Sequence, residues 1–185
     1  MISDILRDAE SKMASAIEYA KEEFAAIRTG RAHPAMFAKL TADYYGAQTP
    51  LQQLATFQVP EARVVLITPY DQSSVNAIEK SIRDSDLGVN PSNDGKTIRV
   101  TLPQLTEQRR KEYTKLARTK AEDARISVRG ARRTAKESLD KMVKDKEVGE
   151  DEATRAEKQL DAATKKHTDA IDEVFKHKEA ELLAV

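Results

Sequence analysis

Cysteine and tryptophan are absent from the 185 residues, aromatic side chains make up 5%, and glycine and proline number six each. Without cysteine, disulfide frameworks and thiolate metal sites are excluded. So few large rings argue against one thick core and for a long helical assembly or two small domains. The longest apolar runs, such as Val64 to Ile67, are far too short to span a bilayer. Asp4, Arg7, Asp8 and Glu10 break up the N-terminus, where a secretory leader needs an unbroken apolar block. The expectation is a soluble cytoplasmic protein with no membrane attachment.

Catalytic signatures are missing too. The segment Asn90 to Thr97 ends like a phosphate-binding loop, but Asn90 stands where the first glycine is required and Asp94 would repel phosphate. With strand-like residues following, it reads as a turn. Of the three histidines, His167 and His177 are ten residues apart and point to different sides of a helix. His177 and Glu181 are one turn apart, but two ligands do not make a metal site. With no nucleophile elbow and no glycine-rich dinucleotide loop, the chain is expected to be no enzyme and to need neither metal nor cofactor.

Charge is what the sequence has in abundance, 31 residues of each sign, and it is unevenly spread. Between residues 31 and 105, 14 of 75 positions are charged, against 48 of 110 outside, and all six prolines (34, 50, 60, 69, 91, 103) fall inside that segment. Proline is tolerated poorly in helix interiors, so the proline-free flanks read as long helices and the middle as short strands and turns. Met13, Ile17, Ala20, Phe24 and Ile27 recur at spacings of three and four, predicting a helix from about Ser3 to Thr29 stopped by Gly30. Thr106 can cap a second helix over Glu107 to Val148, with an apolar stripe of Leu116, Ala124, Val128, Ala131, Ala135, Leu139 and Met142 that lasts until Gly149. Glu150, Asp151 and Glu152 suit the start of a third, whose stripe of Ala153, Ala156, Leu160, Ala163, His167, Ala170 and Val174 runs toward the C-terminus.

Within the middle, strands are predicted over Phe37 to Tyr44, Thr56 to Val59, Val64 to Ile67 and Ile98 to Leu102, with a short helix carrying Val75, Ile78 and Ile82. The fold class expected is α+β: an elongated three-helix bundle formed by residues 1–30 and 106–185, with a small α+β domain, residues 31–105, inserted in it. The chain crosses between the two at Thr29 to Pro34 and at Leu102 to Thr106. Gly30, Ala32, His33, Pro34, Pro103, Gln104 and Leu105 in these crossings are expected to form a hinge.

Residues 106–135 hold ten basic and four acidic side chains, a net charge of +6, and residues 136–185 hold ten and fourteen, a net charge of −4. At about 100° per residue, Arg110, Arg118, Arg125, Arg129 and Arg132 fall within roughly a quarter turn of one another. Arg129, Arg132 and Arg133 have no acidic residue in the four positions before them, and only Glu137 within reach after. Guanidinium forks bind phosphate in a bidentate manner, so a line of them on a stiff helix predicts a polyanion partner. Aromatic stacking platforms and the spacings of DNA-reading motifs are absent, which leaves structured RNA as the expected partner and not DNA. The rival reading is a structural adaptor whose helices bind partner helices.

Several separated motifs occur together: Ile27-Arg28-Thr29-Gly30-Arg31-Ala32, Tyr44-Tyr45-Gly46, Ser85 to Pro91 (SDLGVNP), Leu105 to Lys111 (LTEQRRK) and Val128-Arg129-Gly130-Ala131-Arg132-Arg133. In this order and over nearly the whole chain they resemble the bacterial ribosome recycling factor family. The resemblance implies a three-helix bundle with an inserted β/α/β domain in an L shape. It also implies a monomer that works with elongation factor G and GTP to split the post-termination ribosome, binding ribosomal RNA of the large subunit. It places Arg110, Arg129 and Arg132 on the RNA-binding surface, and we extend that expectation to Arg28, Arg31, Arg125 and Arg133. Gly130 and Ala131 depart from the family, which usually has Asn and Ile there.

Overall fold

The computed structural model describes residues 1–184. The chain divides into two compact units, one of Met1–Phe24 and Lys115–Glu179, the other of Ala25–Thr114 and the residues from Ala180 onward.

The first unit is helical. It holds most of α1 (Ile2–Ala26), α4 (Glu107–Lys144) and α5 (Glu150–Leu183). Its core is rich in alanine: Ala9, Met13, Ala16, Ala20 and Phe24 of α1 are buried with Ala117, Ala121, Ala124, Val128, Ala131, Ala135, Leu139 and Met142 of α4 and with Ala156, Leu160, Ala163 and Ile171 of α5. Small side chains let helix axes approach closely, so a core with few rings still excludes water along its length. Phe24 meets Phe175 with ring centroids 6.3 Å apart. His167 is buried on the α5 stripe, where its Nδ1 lies 2.7 Å from the Ala163 carbonyl.

The helix ends depart from expectation for local reasons. The expected cap is present, with the Arg109 N–H donating to Thr106 Oγ1 at 3.1 Å. At the other end α4 stops at Lys144 and not near Val148, because Lys146 adopts φ +58. The Lys146 N–H then donates to the Val143 carbonyl and the Glu147 N–H to the Met142 carbonyl, a Schellman closure with lysine where glycine is usual. Helix α1 ends at Ala26 and not Thr29, and Arg28 beyond it turns inward.

The second unit contains two antiparallel sheets. Strands β1 (Thr41–Tyr44) and β2 (Ala47–Pro50) form a hairpin whose turn places Tyr45 (φ +51) and Gly46 (φ +83) in the left-handed region, as a primed turn requires. Helix α2 (Leu51–Leu54) leads into a four-stranded sheet of β3 (Ala55–Glu61), β4 (Val64–Pro69), β5 (Asn90–Asn93) and β6 (Ile98–Thr101), in the order β3-β4-β6-β5. Helix α3 (Val75–Arg83) buries the predicted Val75, Ile78 and Ile82 together with Phe37, Leu51, Val65, Ile67, Ile98 and Val100.

Two sequence readings need correction in this unit. Residues Pro34–Phe37 form a 3-10 turn and not the start of a strand, because His33 Nδ1 accepts the Ala35 N–H at 3.0 Å with Pro34 at the first position. The supposed turn at Asn90 to Thr97 is half strand: Asn90–Asn93 pair with β6 at the sheet edge, and Asp94 Oδ1 closes the turn by accepting the N–H groups of Lys96 and Thr97. An edge strand with polar residues and Pro91 carries no apolar alternation to betray it.

Candidate nucleic-acid interface

Helix α4 fixes the direction of the arginine row, because its alanine and valine stripe is buried and the arginines flank that stripe. They are not the free cations their own helix suggested. Arg125 brings Nε and Nη2 to within 2.7 Å of one oxygen of Asp172 on α5, and one turn back Glu122 lies 3.1 Å from its Nη1. Seven residues on, Arg132 repeats the motif, with Nε and Nη2 each 2.7 Å from one oxygen of Asp161. Arg118 reaches Glu179 at 3.4 Å, and Arg129 reaches Glu122 at 3.1 Å, two turns back, sharing that carboxylate with Arg125. The partners on α5 step down by seven from Glu179 to Asp172 and by eleven to Asp161, the rhythm of one antiparallel face. Looking only four positions either way along α4 missed these partners. The carboxylates spaced by seven and eleven on the acidic third helix were the signal that could have found them.

The pairing leaves the row accessible. Arg129 keeps 54% of its side chain exposed and Arg132 32%, whereas Arg125 keeps 19%. Arg133 is exposed and pairs with no carboxylate among the described residues. Hydrogen bonds from Arg129, and then from Arg125, hold the Glu122 carboxyl below its ordinary value. Burial opposes the charge of Arg125, but Asp172 and Glu122 outweigh it and keep the guanidinium above its usual value. Solvent-exposed pairs of this kind contribute about 0–1 kcal/mol, so a phosphate can take a carboxylate's place at small cost.

The remaining candidates lie in the second unit. Arg110 donates through Nη1 to the Leu182 carbonyl at 2.8 Å and also to the Ala184 carbonyl, thereby capping the end of α5. Arg31 is exposed. Arg28 has to be withdrawn from the surface: it is 3% exposed, and its guanidinium donates to the carbonyls of Thr29, Gly88 and Pro103. Burial, with the charges of Arg109 and Arg63 nearby, holds Arg28 below the usual arginine range despite an opposing contribution from Tyr113.

The crossings expected to hinge are fastened within this same unit. The Ala32 N–H donates to the Ala62 carbonyl at 2.7 Å, His33 and Pro34 form the 3-10 cap, Arg28 holds the Pro103 carbonyl, and Leu105 is buried. Gly30 has nothing within 4 Å of where a Cβ would stand, and Gln104 is exposed. Among the described residues no cluster of His, Asp or Glu could hold a metal ion, and no helix is long and apolar enough to cross a membrane.

The chain is thus an α+β protein of two units, a helical one with an arginine-rich flank and a small one built on antiparallel sheets, and comparison gives that class its family. The family profile for ribosome recycling factor matches residues 20–183. The ribosome-recycling factor of Kineococcus radiotolerans is 68% identical over 185 residues and that of Streptomyces coelicolor 63%, each match covering the whole of both chains. Among solved structures, a ribosome recycling factor in solution has a TM-score of 0.78 and 42% identity, over 100% of this chain and 98% of that one. The T. thermophilus ribosome recycling factor, described with E. coli elongation factor G bound to the E. coli post-termination complex, has a TM-score of 0.70 and 38% identity over all of both chains. The chain belongs to the ribosome recycling factor family.

Proposed function

We propose that the protein, together with elongation factor G and the GTP that factor hydrolyses, splits the post-termination ribosome into subunits ready for new initiation. It does so by laying the arginine-bearing flank of α4 on ribosomal RNA of the large subunit. The observation that carries this reading is the end-to-end likeness to the T. thermophilus factor, which is described on a post-termination complex with elongation factor G. The row Arg118, Arg125, Arg129 and Arg132, held extended by carboxylates, with exposed Arg133 beside it, supports the RNA contact. A guanidinium already held straight loses less side-chain freedom when phosphate replaces its partner.

In this reading no residue is catalytic and no cofactor is needed; the chemical step belongs to the GTPase. The protein acts as a cytoplasmic monomer. Residues 1–30 with 106–185 form the anchoring domain and residues 31–105 the moving one, and Gly30 and Gln104 carry what hinge freedom the crossings have. The test is release of subunits from purified post-termination complexes, with and without elongation factor G. Release that requires both proteins and fails for Arg132→Ala supports the reading; release at the same rate without this protein overturns it.

A further inference from the structure

Beside the crossings, the second unit encloses an open cavity of about 730 Å³ whose wall carries three arginines from three separate segments: Arg31, Arg63 and Arg110. The backbone around Arg31 and Arg63 is fastened, and so is the side chain of Arg110. The Ala32 N–H donates to the Ala62 carbonyl at 2.7 Å and the Leu102 N–H to the Arg63 carbonyl at 2.8 Å, so the turn bearing Arg63 is stapled to both crossings. Arg110 is fixed by the carbonyls of Leu182 and Ala184. Arg31 and Arg63 are exposed and form no ion pair among the described residues, and among those residues Glu181 brings the one side-chain carboxylate to the wall. Buried Arg28 is near enough to Arg63 to feel its charge, and it pairs with no carboxylate among the described residues.

We infer that this cavity is a phosphate site that takes a phosphodiester linkage of ribosomal RNA, a second contact of the protein with the large subunit that joins Arg63 to Arg31 and Arg110 and does not use the paired arginines Arg118 to Arg132 of α4. The inference rests on the RNA-binding reading above. Three guanidiniums around one carboxylate favour an anion, and planar forks favour phosphate among anions. Among the described residues no aromatic ring lines the cavity, so a base would find no stacking partner there and the backbone is what it can hold. Arg63 is the decisive residue: neither the helix pattern nor the motifs of the sequence pointed to it, and its exposed side chain forms no ion pair among the described residues that would confuse the outcome.

The test uses the full chain carrying Arg63→Gln, with Arg133→Gln in parallel, and measures large-subunit affinity over a range of potassium concentrations. For Arg63→Gln the affinity should fall about tenfold, and the slope of log affinity against log salt should flatten by about 0.7–0.9, as expected for one lost phosphate contact, with an unchanged melting temperature. Arg63→Lys should restore the slope while recovering only part of the affinity, since the charge returns without the fork. Loss for Arg133→Gln alone overturns the cavity site and leaves the RNA reading standing; no loss in either variant overturns both. Heat stabilisation by millimolar inorganic phosphate that vanishes in Arg63→Gln, with subunit affinity intact, would make the cavity a small-anion site and overturn the RNA occupant.

Discussion

Arg132 of α4 presents two nitrogens to a single oxygen of Asp161 on α5, each at 2.7 Å, and seven residues earlier Arg125 does the same to Asp172. On the proposed reading the carboxylates stand where phosphates would, and the helix pair carries its own competitors for RNA. Such a device keeps the arginines straight and at the same time taxes weak, indiscriminate contact. Only a surface that offers several phosphates in register displaces several carboxylates at once.

Removing the guanidinium should separate binding from folding. Arg132→Ala is expected to weaken large-subunit binding by roughly 1–3 kcal/mol, the range for a lost charge-assisted contact. Because the pair with Asp161 is a partly exposed one, urea unfolding should show a change below about 1 kcal/mol. Equal losses in the two measurements would mean that the pair serves the bundle and not the ribosome.

Removing the competitor should act in the opposite sense. Asp161→Asn leaves Arg132 without its main carboxylate and deletes a negative charge facing any phosphate. Affinity for the subunit should rise by up to about 1 kcal/mol at low salt, and affinity for unrelated duplex RNA should rise with it. Competition between the two RNAs therefore measures the device directly: discrimination falls if Asp161 competes, and stays unchanged if it does not.

Buried Arg28 makes a different prediction. Its charge is satisfied by the carbonyls of Thr29, Gly88 and Pro103 and by no carboxylate, so truncation strands acceptors from three places in the second unit. Arg28→Met should cost roughly 2–4 kcal/mol of stability, because buried carbonyls are left unpaired. Hydrogen exchange should show the loss concentrated in β4, β6 and α3. A cost below about 1 kcal/mol would show that the desolvated charge had offset its own hydrogen bonds.

What could be read in advance follows from where apolar periodicity exists. Val64 to Ile67 and the trio Val75, Ile78 and Ile82 announced β4 and α3, and the three long stripes announced the helices, although Leu116 of the α4 stripe is exposed and Ala117 beside it is buried instead. Strand β5 was invisible because Asn90 to Asn93 bury almost nothing. In the candidate site the row on α4 was legible, but its pairing was not. Asp161 and Asp172 lie far along the chain, and their meeting with α4 depends on the antiparallel register of α4 and α5, which no single-helix pattern contains. Arg28 was misplaced for a related reason: a motif gives a residue's neighbours in sequence but not whether its side chain turns inward.

Helix α4 carries glycine where alanine would serve and lysine where glycine would. Gly130 lies mid-helix with no atom within 4 Å of a would-be Cβ, so Gly130→Ala should stabilise by about 0.5–1 kcal/mol. At the Schellman closure, Lys146 holds φ +58, and Lys146→Gly relieves a left-handed conformation that disfavours side chains by roughly 1–2 kcal/mol, less the extra entropy glycine brings to the unfolded chain. Both variants should shift the urea midpoint upward with an unchanged slope. A fall for Gly130→Ala would mean that the helix needs flexibility or a close approach at that position.

The pH dependence of the second unit should centre on Asp71. Its Oδ1 accepts from the Ser73 hydroxyl at 2.7 Å and the Ser73 N–H at 2.9 Å, and its Oδ2 accepts from the Tyr44 hydroxyl at 2.9 Å. These bonds, those from Ser73 first, hold its carboxyl below the ordinary value of 3.8. A carboxyl whose folded pKa is depressed adds stability above its unfolded pKa and loses it as pH falls through the folded one. Tyr44 mirrors this: its hydrogen bond to Asp71 raises the phenol above 10.0, so its contribution is complete below that pH and lost as pH rises through the raised value. Asp71→Asn should therefore be less stable than the wild type at neutral pH and converge with it as pH falls through the lowered carboxyl range of Asp71. If the gap between the two unfolding curves persists in acid, the stabilisation comes from the shape of the Asp71 side chain and not from its charge.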